Sequence, residues 1–148
     1  MYIRKKILFL LSLIFSLSVL SSDIEEIIVK GEYREKSLGE EDSSIAVIQS
    51  EQIKSQAIKH FQQLSHLVPN LNYAASDSRA RYFQIRGIGE RSGYQGTPNS
   101  SVGFLIDDID YSGQGGIATL FDVDQVEVFR GPQGSRSGAN ALAGLIYI

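Results

Sequence analysis

Residues 124–148 read DQVEVFRGPQGSRSGANALAGLIYI, and most of the fold is decided there. Val126, Val128 and Arg130 alternate with Glu127 and Phe129, the period of a strand whose side chains point to opposite faces. Gly131-Pro132 stops that strand, because proline has no N–H to give to a ladder. Small or turn-forming residues follow at Gly134, Ser135, Ser137, Gly138, Ala139, Ala141, Ala143 and Gly144, where backbone segments can approach closely. The chain turns apolar again at Leu145-Ile146-Tyr147-Ile148, which reads as a final strand.

Working outward, residues 102–106 (VGFLI) read as another strand. Residues 79–88 (RARYFQIRGI) read as a longer one, with Phe83 and Ile85 on one face and Gln84 and Arg86 on the other. Residues 72–75 suit a short strand, and residues 117–121 (IATLF) a helical turn that feeds the strand at 123–130. Glycines crowd two stretches, at Gly87, Gly89, Gly93 and Gly96 and again at Gly113, Gly115 and Gly116. Irregular backbone of that kind must be held by what surrounds it. Residues 44–48 (SIAVI) form the first convincing strand, and Ser50 offers an N-cap oxygen with Glu51 in the first helical turn. Ile53, Ala57, Phe61, Leu64 and Leu67-Val68 recur at helical spacing, as two short helices broken near 57–60 and ended by Pro69-Asn70.

Arg130-Gly131-Pro132-Gln133-Gly134, followed by Gly138, Asn140-Ala141 and Gly144, resembles the signature that ends the plug domain of TonB-dependent outer-membrane receptors. The chain departs from that pattern at Ser137, where tyrosine is usual, at Ala143, where glycine is usual, and at Tyr147, where asparagine is common. Phe83-Gln84-Ile85-Arg86-Gly87 is similar to the family's second landmark, and Val68-Pro69-Asn70-Leu71, after a strand and a helix pair, to its beginning. The resemblance implies an α+β fold over residues 44–148. A small mixed β-sheet would draw on the strands around Ala46, Ile85, Phe104, Val128 and Ile146, with short flanking helices and Gly-rich loops. It also implies that Gly87, Gly131, Pro132, Gly134, Gly138, Asn140 and Gly144 are plug-signature positions. Arg86 and Arg130, each directly before a glycine, would face carboxylates of an enclosing β-barrel in charge-assisted, bidentate pairs. The plainer reading is that each arginine ends its strand in solvent.

At the other end, Arg4, Lys5 and Lys6 precede an uncharged run over 7–20 and then Ser21-Ser22, the plan of a secretory signal over residues 1–22. The run is shorter than the ~20 apolar residues of a membrane-spanning helix. Residues 23–31 read DIEEIIVKG, where β-branched Ile27, Ile28 and Val29 favour an extended conformation with no core of their own. This segment resembles the TonB box, which pairs edge-on with the TonB energy-transducing protein by strand addition. The resemblance makes Glu26, Ile27, Ile28, Val29, Lys30 and Gly31 TonB-binding candidates, against the plain alternative of an ordinary first strand. Residues 32–43 are charged, poor in apolar side chains and without periodicity, and read as a flexible, solvated linker.

Removal of residues 1–22 leaves 126 of 148, enough for one domain with one core. The formal charge goes from −3 to −6, with 11 basic against 17 acidic residues, so nucleic acid is not expected as a partner. There is no cysteine to form disulfides. His60 and His66 stand six apart and are not neighbours on a helix face. Asp108, Asp110, Ser112 and Gly113 match the opening of a calcium loop, but Thr119 occupies the twelfth position, where a bidentate glutamate is needed. No protein-bound metal and no cofactor are expected. Catalysis is not expected either, since residues 134–138 (GSRSG) put no serine at the centre of a nucleophile elbow. No Gly-Lys-Ser/Thr phosphate loop occurs, and Gly87-x-Gly89 reaches Ser92 where a dinucleotide motif needs glycine.

Arg91, Tyr94, Asn99 and Tyr111 are candidate ligand contacts in the glycine-rich loops, with ordinary surface loops as the alternative. A transmembrane barrel would need many alternating segments of ~10 residues, so the chain is expected to be the front of a larger receptor or a truncated product. In the receptor that the chain resembles, the plug fills the lumen of an outer-membrane barrel. Its loops help to bind a scarce solute, commonly a ferric siderophore, and TonB remodels it to admit that ligand. The other reading is a free-standing soluble periplasmic module for ligand binding or signalling.

Overall fold

The computed structural model describes residues 26–76, 79–92 and 99–148, so the leader read at 1–22 and the candidate Tyr94 lie outside the described residues. In chain order, β1 (Ile28–Val29), β2 (Lys36–Ser37) and β3 (Ile45–Gln49) lead into helix α1 (Ser50–Ser55) and helix α2 (Phe61–Leu64). A 3-10 turn at Ser65–Leu67 precedes β4 (Leu71–Ser76) and β5 (Arg79–Ile85). Next come β6 (Val102–Ile106), β7 (Ile109–Asp110) and a 3-10 turn at Gly115–Ile117. The chain ends with β8 (Gln125–Arg130), helix α3 (Gly134–Ser137) and β9 (Gly144–Tyr147).

The main sheet has five strands in the spatial order β3-β8-β9-β6-β7. It is mixed, because β6 and β9 run parallel while the other neighbours are antiparallel. Register places Ala46 beside Val128, Val128 beside Ile146, and Ile146 beside Phe104, one apolar row across four strands. That row belongs to a core that also takes Ile53, Phe61, Leu64, Phe83 and Ile85. The Phe61 ring of α2 meets Phe83 of β5 and Phe104 of β6 edge-on, each at 5.1 Å between ring centres, the arrangement that aromatic quadrupoles favour.

The strand around Ile85 is the exception to the expected sheet. β5 stays outside the main sheet and pairs antiparallel with β4, Leu71 opposite Ile85 and Tyr73 opposite Phe83. With its ladder taken up by the strand just before it, β5 contributes through its buried face (Ala80, Phe83, Ile85) and is a lid on the core.

The break between helices falls as expected, at Ala57 with φ 52°. Gln63 Oε1 then accepts from the Lys59 and His60 N–H groups at 2.8 and 3.1 Å, which satisfies the open start of α2. Ser50 is not the N-cap. β3 runs straight into α1, the cap is Gln49, and the Ser50 N–H is already spent on the Asp124 carbonyl at 2.8 Å. The expected turn at 117–121 also lies earlier, at Gly115–Ile117. Backbone bonds from Leu120 to Lys59 and from Phe61 to Ala118 hold the following residues extended.

The opposite face of the sheet carries a second, smaller core of Val29, Leu105, Phe129, Ala141 and Leu145. Val29 comes from the N-terminal segment, and Ala141 from the loop after α3. The stretch 32–43, read as a linker, holds β2, because the backbone of Ile28 and Val29 needs a ladder partner and Lys36–Ser37 supply it.

Candidate functional site

The N-terminal segment closes the second face of the sheet. Val29 is fully buried there. One edge of β1 pairs with β2, Ile28 opposite Ser37 and Val29 opposite Lys36, and the Leu38 N–H extends the ladder to the Ile27 carbonyl at 2.9 Å. The other edge meets side chains of β8. The Lys30 and Gly31 N–H groups donate to the two carboxylate oxygens of Glu127 at 2.6 and 2.7 Å, and Gln125 Nε2 donates to the Ile28 carbonyl at 2.8 Å. Gln125 Nε2 also donates to Glu127 Oε1. Glu127 is 0% exposed. A carboxylate is tolerated at such a place only when its oxygens are bonded, and here three N–H donors converge on it.

Two outer contacts flank this clasp. Lys30 Nζ pairs with Asp124 at 2.8 Å in solvent. That bond holds the Asp124 carboxyl below its ordinary 3.8 and raises the Lys30 ammonium above its ordinary 10.5. The Asp124 contribution is therefore present above the unfolded value and lost as pH falls through the lower folded one. The Lys30 contribution is present below 10.5 and lost as pH rises through the raised value. Because the pair is exposed and screened by salt, Asp124→Asn is expected to leave the thermal midpoint and the position of the segment unchanged. Amide exchange at Lys30 and Gly31 checks this, and faster exchange in the variant would make the exposed pair the anchor. The second contact is Arg136, which pairs with Asp108 and lies over the rings of Tyr33 and Tyr147 at 5.4 and 5.0 Å. Burial raises the Tyr147 hydroxyl, and the nearby Asp108 carboxylate acts in the same direction.

Both candidate arginines lie toward the end of the sheet where β6 and β9 begin. Arg130 pairs across to Gly144, and the Ile85 side chain, next to Arg86, packs at Gly144. Arg86 is exposed and takes φ 53° in a turn closed by reciprocal Ile85–Ile88 backbone bonds, with Gly87 following at φ 80°. Arg130 is half-buried, its Nη2 reaches the Ile45 carbonyl at 3.4 Å, and its Nε is buried with no acceptor among the described residues. Neither arginine has a carboxylate partner among the described residues.

The remaining signature positions build the return from β8 to β9. Gly131 and Pro132 end β8, Gly134 opens α3, and Gly138 closes it at φ 62°. Asn140 ties three parts together: its Oδ1 accepts from the Ser100 N–H at 3.1 Å and its Nδ2 donates to Asp110 at 2.9 Å. Backbone bonds from Ala141 to Ser100 and from Ala143 to Ser101 continue that seam. Glu90 accepts from the Ser101 N–H at 3.0 Å and from its hydroxyl, so both ends of the glycine-rich loop are anchored.

Arg91 and Asn99 are exposed at those loop ends, before the start of β6. Tyr111 is elsewhere. It lines a groove of about 630 Å³ with Ile106, Asp107, Phe121 and Ile148, at the far ends of β6 and β9. Asp110, read as the second ligand of a calcium-like loop, accepts from the Ser112 N–H at 2.8 Å in a local turn. Among the described residues no three acidic or histidine side chains gather as cation ligands. Sequence reading passed over Glu127, Gln125 and Arg136. The available signal was a lone carboxylate inside the apolar run QVEVF.

Residues 37–145 match the profile of the TonB-dependent Receptor Plug Domain. Among solved structures, the ferric yersiniabactin uptake receptor FyuA from Yersinia pestis is similar at 25% identity and TM-score 0.57, over 72% of this chain and 16% of that one. The ferripyoverdine receptor of the outer membrane of Pseudomonas aeruginosa is similar at 18% identity and TM-score 0.66, over 82% and 16%. The siderophore receptor PiuA from Acinetobacter baumannii is similar at 24% and 0.60, over 76% and 15%. The last two likenesses concern the fold alone. The chain spans 15–16% of the length of these three receptors. A mixed sheet closed on one face by two short helices and a two-stranded ribbon, together with the profile match over most of its length, shows that the chain belongs to the TonB-dependent receptor plug domain family.

Proposed function

We propose that this chain is the plug portion of a TonB-dependent outer-membrane receptor for energised uptake of a scarce solute, with an iron-siderophore complex as the ligand class. The observation that carries the reading is the arginine pair. Arg130 holds a buried Nε with no partner among the described residues, and exposed Arg86 follows Ile85, whose side chain packs at Gly144 opposite Arg130; each arginine precedes a glycine. Donors in that state suit carboxylates supplied by an enclosing barrel wall. The ligand class is supported by the structural neighbours, a ferric yersiniabactin uptake receptor, a ferripyoverdine receptor and a siderophore receptor.

In this reading residues 1–22 direct export, and Glu26, Ile27, Ile28, Val29, Lys30 and Gly31 supply the strand that TonB takes. Arg91 and Asn99 hold the ligand-facing loop. Tyr111 is the candidate ligand contact at the far ends of β6 and β9.

The test of the reading is uptake. In cells producing the receptor, Arg130→Gln is expected to reduce ferric-siderophore uptake tenfold or more, because breaking a buried ion pair costs about 3–5 kcal/mol. The purified chain carrying the same change should keep its stability, because Arg130 has no carboxylate partner among the described residues. Unchanged uptake would remove the barrel-pairing role. Binding of the periplasmic domain of TonB to the chain, competed by a peptide of residues 26–31, is expected alongside it. Binding that such a peptide leaves unchanged would place the TonB contact elsewhere.

A further inference from the structure

The geometry points to Glu127 as the residue that retains the Glu26–Gly31 segment on the plug and sets its register, so that an incoming strand must displace either Glu127 or β2. The inference rests on reading this segment as the one that TonB takes. Strand addition needs a free main-chain edge, and β1 has none. β2 fills one edge, and Glu127 with Gln125 fills the other.

The carboxylate suits this task better than a neutral side chain of the same shape. Two successive amides, Lys30 and Gly31, each take a separate oxygen of Glu127. A glutamine offers one acceptor oxygen and would turn its own NH₂ toward the second N–H. Gly31 is fitted to the same contact. A Cβ there would stand 2.6 Å from Glu127 Oε2 and 2.7 Å from Phe129 Cζ, so a side chain would drive the amide off the carboxylate. Val29 supplies apolar burial that resists a slip of one residue, which would turn it away from the sheet, but a slip of two would put Ile27 in its place on the same face. Glu127 removes that freedom by binding two specific amides.

The two edges differ in consequence. A strand that displaced β2 would leave the Glu127 bonds in place. The segment would then be engaged while still docked, and a pull on it would load β8, the strand that ends in Arg130. Releasing Glu127 instead would free the whole segment, Val29 included.

The chain has no cysteine, so Glu26→Cys gives a single site for a nitroxide label at an exposed residue. With Glu127 intact the label is expected to be immobilised. With Glu127→Gln it should become mobile, and the Lys30 and Gly31 amides should exchange roughly tenfold faster or more, a local opening. The Val128 and Ile146 amides should not change, which separates loss of the clasp from general destabilisation. A label and two amides unaffected by Glu127→Gln would overturn the inference. The unmodified protein gives an independent reading if that variant fails to fold. Lys30 and Gly31 must exchange far more slowly than exposed Arg34 and Glu35, and equal rates would overturn the inference. Both measurements are made without TonB, so a failure of the partner reading leaves them untouched.

Discussion

Replacing Phe61 with alanine is expected to lower the stability of the domain by about 3–5 kcal/mol, the usual cost of removing a fully buried aromatic ring. The ring is 0% exposed and meets Phe83 and Phe104 edge-on. Those three rings come from α2, β5 and β6, so the cavity would open where the helices, the ribbon and the main sheet meet. The neighbouring strands are locked by their ladders and cannot collapse into the space. A domain of this size is stable by only about 5–15 kcal/mol, which makes the loss a large share of the total. Urea unfolding followed by tyrosine fluorescence, in a chain with seven tyrosines and no tryptophan, would read it as a lower midpoint at unchanged slope. A loss below about 1 kcal/mol would mean that the three-ring junction is not the centre of the core.

Gly144→Ala is the second large effect. A Cβ at Gly144 would stand 2.6 Å from Ile85 Cδ1 and closer still to the Phe129 carbonyl oxygen. The first neighbour can rotate away, but the second is backbone of the adjacent strand, in the ladder that pairs Arg130 with Gly144. Relief requires β8 and β9 to separate at the end that carries Arg130. Overpacking of this kind costs about 1–3 kcal/mol, and the upper end is expected because the obstacle is main chain. The variant should also expose the β8–β9 amides near Arg130 to faster exchange. Wild-type stability in Gly144→Ala would show that the signature glycine is not required for close approach.

Much of this architecture was legible in residue order. Alternation through Val126, Val128 and Arg130, apolar runs at 44–48, 102–106 and 145–148, and the Arg-Gly-Pro stop placed four of the five main strands, and the run at 79–88 placed β5 before Arg86. What alternation could not show was partnership. Phe83 and Ile85 mark β5 as a strand with one buried face, and that pattern is the same whether a strand joins the main sheet or lies over it with β4.

Glu127 was illegible for a related reason. In an alternating strand a carboxylate between valines normally faces water. Its burial depends on amides 96 and 97 residues away in sequence, contributed by a segment with no core of its own. The same distance explains β2, since Lys36–Ser37 are ordered by the segment that they pair with and not by their own composition. Tyr111 was grouped with Arg91 and Asn99 because all lie among glycines, but β6 carries the chain from one end of the sheet to the other between them.

On the proposed function, this domain works as the plug of an outer-membrane receptor. The most direct test is to fractionate source cells and probe the fractions with an antibody raised against residues 44–148. A heat-modifiable band in the outer membrane, far larger than 148 residues would give, is the expected result. A small band confined to the periplasm would contradict it, and would leave a free-standing periplasmic module as the reading to pursue.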